Sequence, residues 1–119
     1  SFVASYSQIN VVETEYAFKM FLDDYLITGS IDLLYKDKND EYVILDYKTD
    51  QAINPEIYYG QQSCYRKAVS EMYNIPVEKI KTYLYYTLFD KTVDISQNTL
   101  QNPDFSLLTI EDNWLVFCC

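Results

Sequence analysis

The stretch GSIDLLYKDKNDEYVILDYKTD (29–50) decides how the rest of the chain is read. It holds two apolar runs, each broken by one aspartate: Ile31-Asp32-Leu33-Leu34 and Val43-Ile44-Leu45-Asp46. Between them lies Asp37-Lys38-Asn39-Asp40, a polar turn signal. Residues 25–36 predict a long strand and 41–48 its partner, so 25–48 reads as a β-hairpin. The apolar run Tyr42–Leu45 predicts a strand buried on both faces, in the middle of a sheet. Asp46 and Lys48 stand two apart on that strand, so alternation puts both side chains on one face.

A hairpin also brings Asp32 near Asp46. Two carboxylates converging at a sheet end repel each other, and a divalent cation resolves the conflict. Mg²⁺ prefers a few carboxylate oxygens completed by water and substrate phosphate. Such a cation activates water and offsets charge on a phosphodiester. Lys48 is then placed to orient or deprotonate the attacking water, or to neutralise phosphate charge. The bland alternative is a buried Asp46–Lys48 ion pair with Asp32 exposed on a twisted edge. Spacing alone leaves both open, because structural ion-pair networks mimic sites.

Outward from the hairpin, residues 5–22 predict one or two strands, followed by a turn at Asp23-Asp24. Asn54-Pro55 predicts a helix start, with Asn at the N-cap and Pro at N1. The helix should run to about Tyr73 and end at Asn74 and Pro76. Ile57, Gln61, Cys64, Tyr65, Ala68, Val69 and Met72 fall on one face at 3.6 spacing. Residues 80–89 predict a strand returning to the sheet, and 92–95 and 106–110 short strands. Trp114–Phe117 is a last apolar segment. This order describes an α/β or α+β domain with a mixed sheet.

The chain's 119 residues suffice for one domain and are too few for two. Hydrophobic residues make up 49%, which excludes disorder by composition. No apolar run approaches the roughly 20 residues that span a bilayer, and SFVASYSQIN (1–10) lacks the pattern of a signal peptide. Cys64, Cys118 and Cys119 are odd in number and lack metal-site spacing, which points to a reducing compartment such as the cytoplasm. The net charge is −9, with no histidine. A protein acting alone on nucleic acid is usually basic, so the acidity counts against a self-sufficient DNA binder and less against a catalytic unit whose DNA is delivered by a neighbour; a plain acidic soluble surface accounts for most of the charge either way. Arg66, Lys67, Lys79 and Lys81 are short basic clusters that read as solvated faces rather than phosphate contacts. Tyr83, Tyr85 and Tyr86 read as strand packing rather than base stacking.

The hairpin resembles the nuclease motif of the RecB-like branch of the PD-(D/E)XK family. That branch carries G-x-x-D on one strand, matched by Gly29 and Asp32, and D-Y-K-T/S on the next, matched by Asp46, Tyr47, Lys48 and Thr49. A Q-x-x-x-Y motif on the following helix is matched by Gln61 and Tyr65. The three motifs in order are far more specific than any one. The resemblance covers residues 13–90 and implies a restriction-endonuclease-like core, a mixed central sheet flanked by helix, with residues 1–119 forming a single nuclease domain. It implies Asp32 and Asp46 as ligands of Mg²⁺ or Mn²⁺, the backbone carbonyl of Tyr47 completing the site, and Lys48 as the catalytic lysine. Gln61 and Tyr65 would support the site or contact DNA. ETEYAF (13–18) is similar to the strand ahead of the hairpin in the AddA group, so Glu15 would line the site, though an exposed strand glutamate is the plainer reading. The partners implied are DNA, a helicase domain upstream in the same chain and a second helicase–nuclease subunit, in an ATP-dependent enzyme of double-strand-break repair. RecB-like nucleases commonly add a histidine from a preceding helix, and this chain has none. The expectation is therefore a fragment truncated at its N-terminus; the alternatives are a catalytically silent copy of the fold, docking DNA ends or subunits, and a free-standing phage-type exonuclease.

Overall fold

The computed structural model describes residues 10–22, 25–100, 109–111 and 114–116. The expected turn at Asp23-Asp24 and the cysteines at 118 and 119 lie outside them. The strands are β1 (Asn10–Leu22), β2 (Tyr25–Lys36), β3 (Tyr42–Lys48), β4 (Ile80–Tyr86), β5 (Lys91–Asp94), β6 (Thr109–Glu111) and β7 (Trp114–Val116); the α-helix, α1, is Tyr59–Tyr73. They form one mixed sheet in the order β5-β4-β3-β2-β7-β6, with β1 along the other edge of β2.

The hairpin forms where the sequence places it, antiparallel from Leu33↔Leu45 to Lys36↔Tyr42. Its turn is fastened by Asp37, whose Oδ1 accepts from the Asn39 N–H at 2.8 Å and the Glu41 N–H at 3.1 Å, an aspartate closing a turn on its own backbone. On the far side β3 pairs with β4 in parallel, from Tyr42↔Ile80 to Lys48↔Tyr86. A parallel neighbour requires a crossover, and α1 supplies it. With strands on both edges, β3 buries Val43, Ile44 and Leu45, as its unbroken apolar run demands.

α1 packs Cys64, Tyr65, Ala68 and Val69 against Phe18, Ile27, Ile31, Leu34, Ile44 and Ile80. Leu33, Tyr35, Val43 and Leu45 form a second cluster, joined by Tyr83 and Tyr85. In β2, Ile27 and Ile31 share a cluster with Leu34, an odd–even change that a regular strand cannot make. The strand therefore switches the face it offers to α1 between Ile31 and Leu34, and Asp32 sits at the switch. β1 is irregular alongside it: the register shifts between Val11 and Glu13, and Glu15 has φ 48°.

Three expectations need correcting. The helix does not begin at Pro55: Pro55–Tyr58 is a 3-10 turn, and Asn54 makes no side-chain cap. Ile57 is consequently 66% exposed instead of facing the core. The strand from residue 80 ends at Tyr86, and Thr87–Asp90 turns back into β5. At the other end of α1, Asn74 takes the left-handed conformation, φ 54°, and its N–H donates to the Ser70 carbonyl, as expected of a C-capping asparagine.

Candidate metal centre

The β2–β3 ladder stops at Leu33↔Leu45. Carried one pair further, its register would set Asp46 opposite Asp32. The strands part there instead: the Tyr47 N–H donates to Asp32 Oδ2 at 2.8 Å, a side chain replacing a ladder carbonyl. Below the fork, β2 takes a different neighbour, β7, from Leu26↔Trp114 to Thr28↔Val116. The opening thus leaves two carboxyls facing each other at the parting of two strands.

Asp46 is buried, and its Oδ2 receives two donors. Lys48 Nζ lies 2.6 Å away, with both side chains about 5% exposed or less. Gln62 Nε2 donates to the same oxygen at 3.1 Å and to Gln61 Oε1 at 3.1 Å. Burial, with a hydrogen bond that the neutral Asp46 acid donates to the Asp32 carboxylate, pushes Asp46 up to about 7, against the pull of Lys48. Desolvation favours the neutral acid, and so does a neighbouring carboxylate that accepts its hydrogen bond.

Lys48 Nζ also sits 3.8 Å from the centroid of the Tyr58 ring. The Tyr58 hydroxyl donates to Asp50 Oδ2 at 2.5 Å; burial and that carboxylate raise its pKa. Thr87 closes the end of β3, its N–H reaching the Lys48 carbonyl at 2.9 Å.

Of the residues the sequence singled out, Asp32, Asp46, Tyr47 and Lys48 meet at the fork. Gln61 touches the site through Gln62. Tyr65 lies deeper, 1% exposed, with its ring edge-on to Phe18 at 5.4 Å and its hydroxyl accepting from the Ser30 N–H at 3.4 Å. At that depth its ring props the strand leading to Asp32. The close approach explains Gly29: a Cβ there would lie 2.4 Å from Tyr65 Cε1. Glu15 is exposed and falls opposite Asp32, between Thr14↔Leu33 and Tyr16↔Ile31.

Sequence reasoning missed Gln62 and Tyr58. Gln62 carried a signal, a second amide beside Gln61, but nothing said which of the two would face Asp46. Arg66 is a correction. It is buried, donating to the Val77 and Ser96 carbonyls and to Thr99 Oγ1, so it clamps the segment after β5 to α1 and is neither solvated nor free for phosphate. Tyr86 is fully buried, whereas Tyr83 and Tyr85 are half-buried against the second cluster.

Among the described residues no three His, Cys, Asp or Glu side chains converge as a metal cluster, and no helix is long and apolar enough to cross a membrane. Two carboxyls brought together at the fork nevertheless suit a hard cation that keeps most of its water, as Mg²⁺ does. In a comparison with known families, the PD-(D/E)XK nuclease superfamily matches residues 3–111. No curated protein matches the chain.

Proposed function

Because the chain belongs to the PD-(D/E)XK nuclease superfamily, we propose that the fork between β2 and β3 is the metal centre of a DNA-hydrolysing domain. The observation that carries the reading is the Asp32–Asp46 pair, held together at a buried strand end with Lys48 alongside. Asp32, Asp46 and the Tyr47 carbonyl would hold Mg²⁺ or Mn²⁺. The bound cation supplies Lewis-acid activation of water and offsets charge on the phosphodiester. Oδ2 of Asp46 is anchored by Lys48 and Gln62, which fixes the carboxyl at the fork. Lys48 orients the attacking water and neutralises phosphate charge. Gln61, through Gln62, and Tyr65, through β2, keep the carboxyls in place; Glu15, exposed across from Asp32 on the other edge of β2, would add a further acidic group near the site.

The order of Gly29–Asp32, Asp46–Lys48 and Gln61–Tyr65 favours the RecB-like branch, most similar to the nuclease unit of AddA or RecB helicase–nucleases. On that reading the domain works as a cytoplasmic exonuclease in ATP-dependent double-strand-break repair. A helicase domain and a second subunit would supply the grip on DNA that a net charge of −9 does not. The missing histidine fits a fragment of a longer chain; the second reading is a catalytically silent module that docks DNA ends or subunits.

The full-length protein is incubated with linear DNA and Mg²⁺ beside Asp46→Ala and Lys48→Ala variants. The expected result is metal-dependent degradation that both substitutions abolish. Degradation surviving both would sink the site, and none by the parent would favour the silent module.

A further inference from the structure

The Lys48 ammonium has a second partner that no metal would claim. It is held on one side by Asp46 Oδ2 at 2.6 Å and on another by the face of Tyr58, 3.8 Å from the ring centroid. Its side chain is 5% exposed, so water screens neither contact well. A desolvated ammonium over a ring face sits near the strong end of the cation–π range.

The ring is itself fixed. Tyr58 ends the Pro55–Tyr58 turn and serves as the N-cap residue of α1. Its hydroxyl is bound to Asp50, two residues past Lys48 on the same chain segment. The ring is thus anchored at its backbone by the helix start and at its tip by the strand's continuation, with the ammonium against its face.

This arrangement matters because Asp46 has two claimants. If the carboxylate is drawn to a cation, its hold on Lys48 weakens. An aromatic face attracts the ammonium without competing for the cation as a carboxylate would and without taking a proton. We propose that Tyr58 is a positioning residue for Lys48, its ring keeping the ammonium at the fork when Asp46 is otherwise engaged. The consequence for catalysis rests on the nuclease reading; the clamp itself does not.

The test separates the two. In protein with ¹³C-labelled lysine, the Lys48 ε-methylene signal, assigned by its loss in Lys48→Arg, should lie upfield from the ring current. It should stay there in Tyr58→Phe and return to the ordinary lysine position in Tyr58→Leu. DNA cleavage should fall about tenfold in kcat for Tyr58→Leu and recover in Tyr58→Phe, with Mn²⁺ affinity unchanged in both. Pentafluorophenylalanine at position 58 keeps the shape while removing the negative ring face, and should behave like Tyr58→Leu even if the leucine variant fails to fold. An unmoved Lys48 signal in Tyr58→Leu, or Tyr58→Phe as impaired as Tyr58→Leu, would overturn the proposal. The expected signals in a parent that cleaves no DNA would leave the clamp standing and remove the nuclease reading.

Discussion

Metal binding at the fork should be coupled to pH through Asp46, and the size of the coupling follows from its surroundings. Burial and the Asp32 carboxyl push Asp46 from the usual 3.8 up to about 7. A cation ligated by Asp46 must displace the proton that its raised pKa retains, so apparent affinity follows the ionised fraction of Asp46. With a midpoint near 7 that fraction is about three-quarters at pH 7.5 and about 3% at pH 5.5, a drop of roughly 25-fold. An ordinary exposed aspartate would change by less than about 10% over the same interval. Mn²⁺ titration followed by water-proton relaxation at pH 5.5, 6.5 and 7.5 measures this directly. Lys48 lowers the Asp46 pKa, so Lys48→Met should move the inflection upward. The same shift predicts the stability of metal-free protein. Between about 4 and 7 the folded state binds more protons than the unfolded one, so stability declines as pH rises through that window and levels off above 7. Added Mn²⁺ should oppose the decline at its upper end. Affinity that stays flat from pH 5.5 to 7.5 would refute the raised Asp46 pKa.

Other substitutions probe the frame around the pair. Gly29→Ala drives a Cβ to 2.4 Å from Tyr65 Cε1 and 2.9 Å from Phe18 Cζ; it should cost about 1–3 kcal/mol by urea denaturation, and Phe18→Leu in the same chain should recover part of the loss. Gln62→Leu removes a donor from Asp46 and also the buried Gln62 Oε1, which has no hydrogen-bond partner among the described residues. Stability should change by no more than about 1 kcal/mol in a thermal melt, while Mn²⁺ affinity shifts because one oxygen of Asp46 is less anchored. Glu15→Gly relieves the φ of 48° and should stabilise the fold by about 1 kcal/mol. If the Glu15 carboxylate lines the site, the same variant should lose cleavage, so a gain in both would remove Glu15 from the site.

The parts of this molecule legible in its sequence are those decided by neighbours on one strand. Asp46 and Lys48 share a face because alternation requires it, and the turn at 37–40 fixes the hairpin register that brings Asp32 opposite. The helix was harder, because its phase depends on where it starts. Asn54-Pro55 reads as an α-helical start, yet the first four residues wind as a 3-10 turn of about three residues per turn. Residues before Tyr59 are therefore out of phase with those after it, which is why Ile57 faces solvent while Cys64 and Val69 are buried.

The same uncertainty of rotation hid the site's neighbours. Consecutive helical residues differ by about 100° in direction, so motif spacing could point to Gln61 and Tyr65 without telling that Gln62 is the amide on Asp46. Tyr58 was hidden for a different reason. Its bond to Asp50 and its ring under Lys48 join segments eight and ten residues apart across a loop, and no periodicity runs through a loop. Arg66 shows the complementary failure. Its partners are mostly backbone carbonyls contributed by Val77 and Ser96, groups that every residue carries, so nothing in the side-chain pattern announces a buried clamp. What the fold adds to the motif is thus the means of holding it. Three charged groups that would repel or pair in water are kept at a fork by an amide, an aromatic face and a strand that parts one residue early.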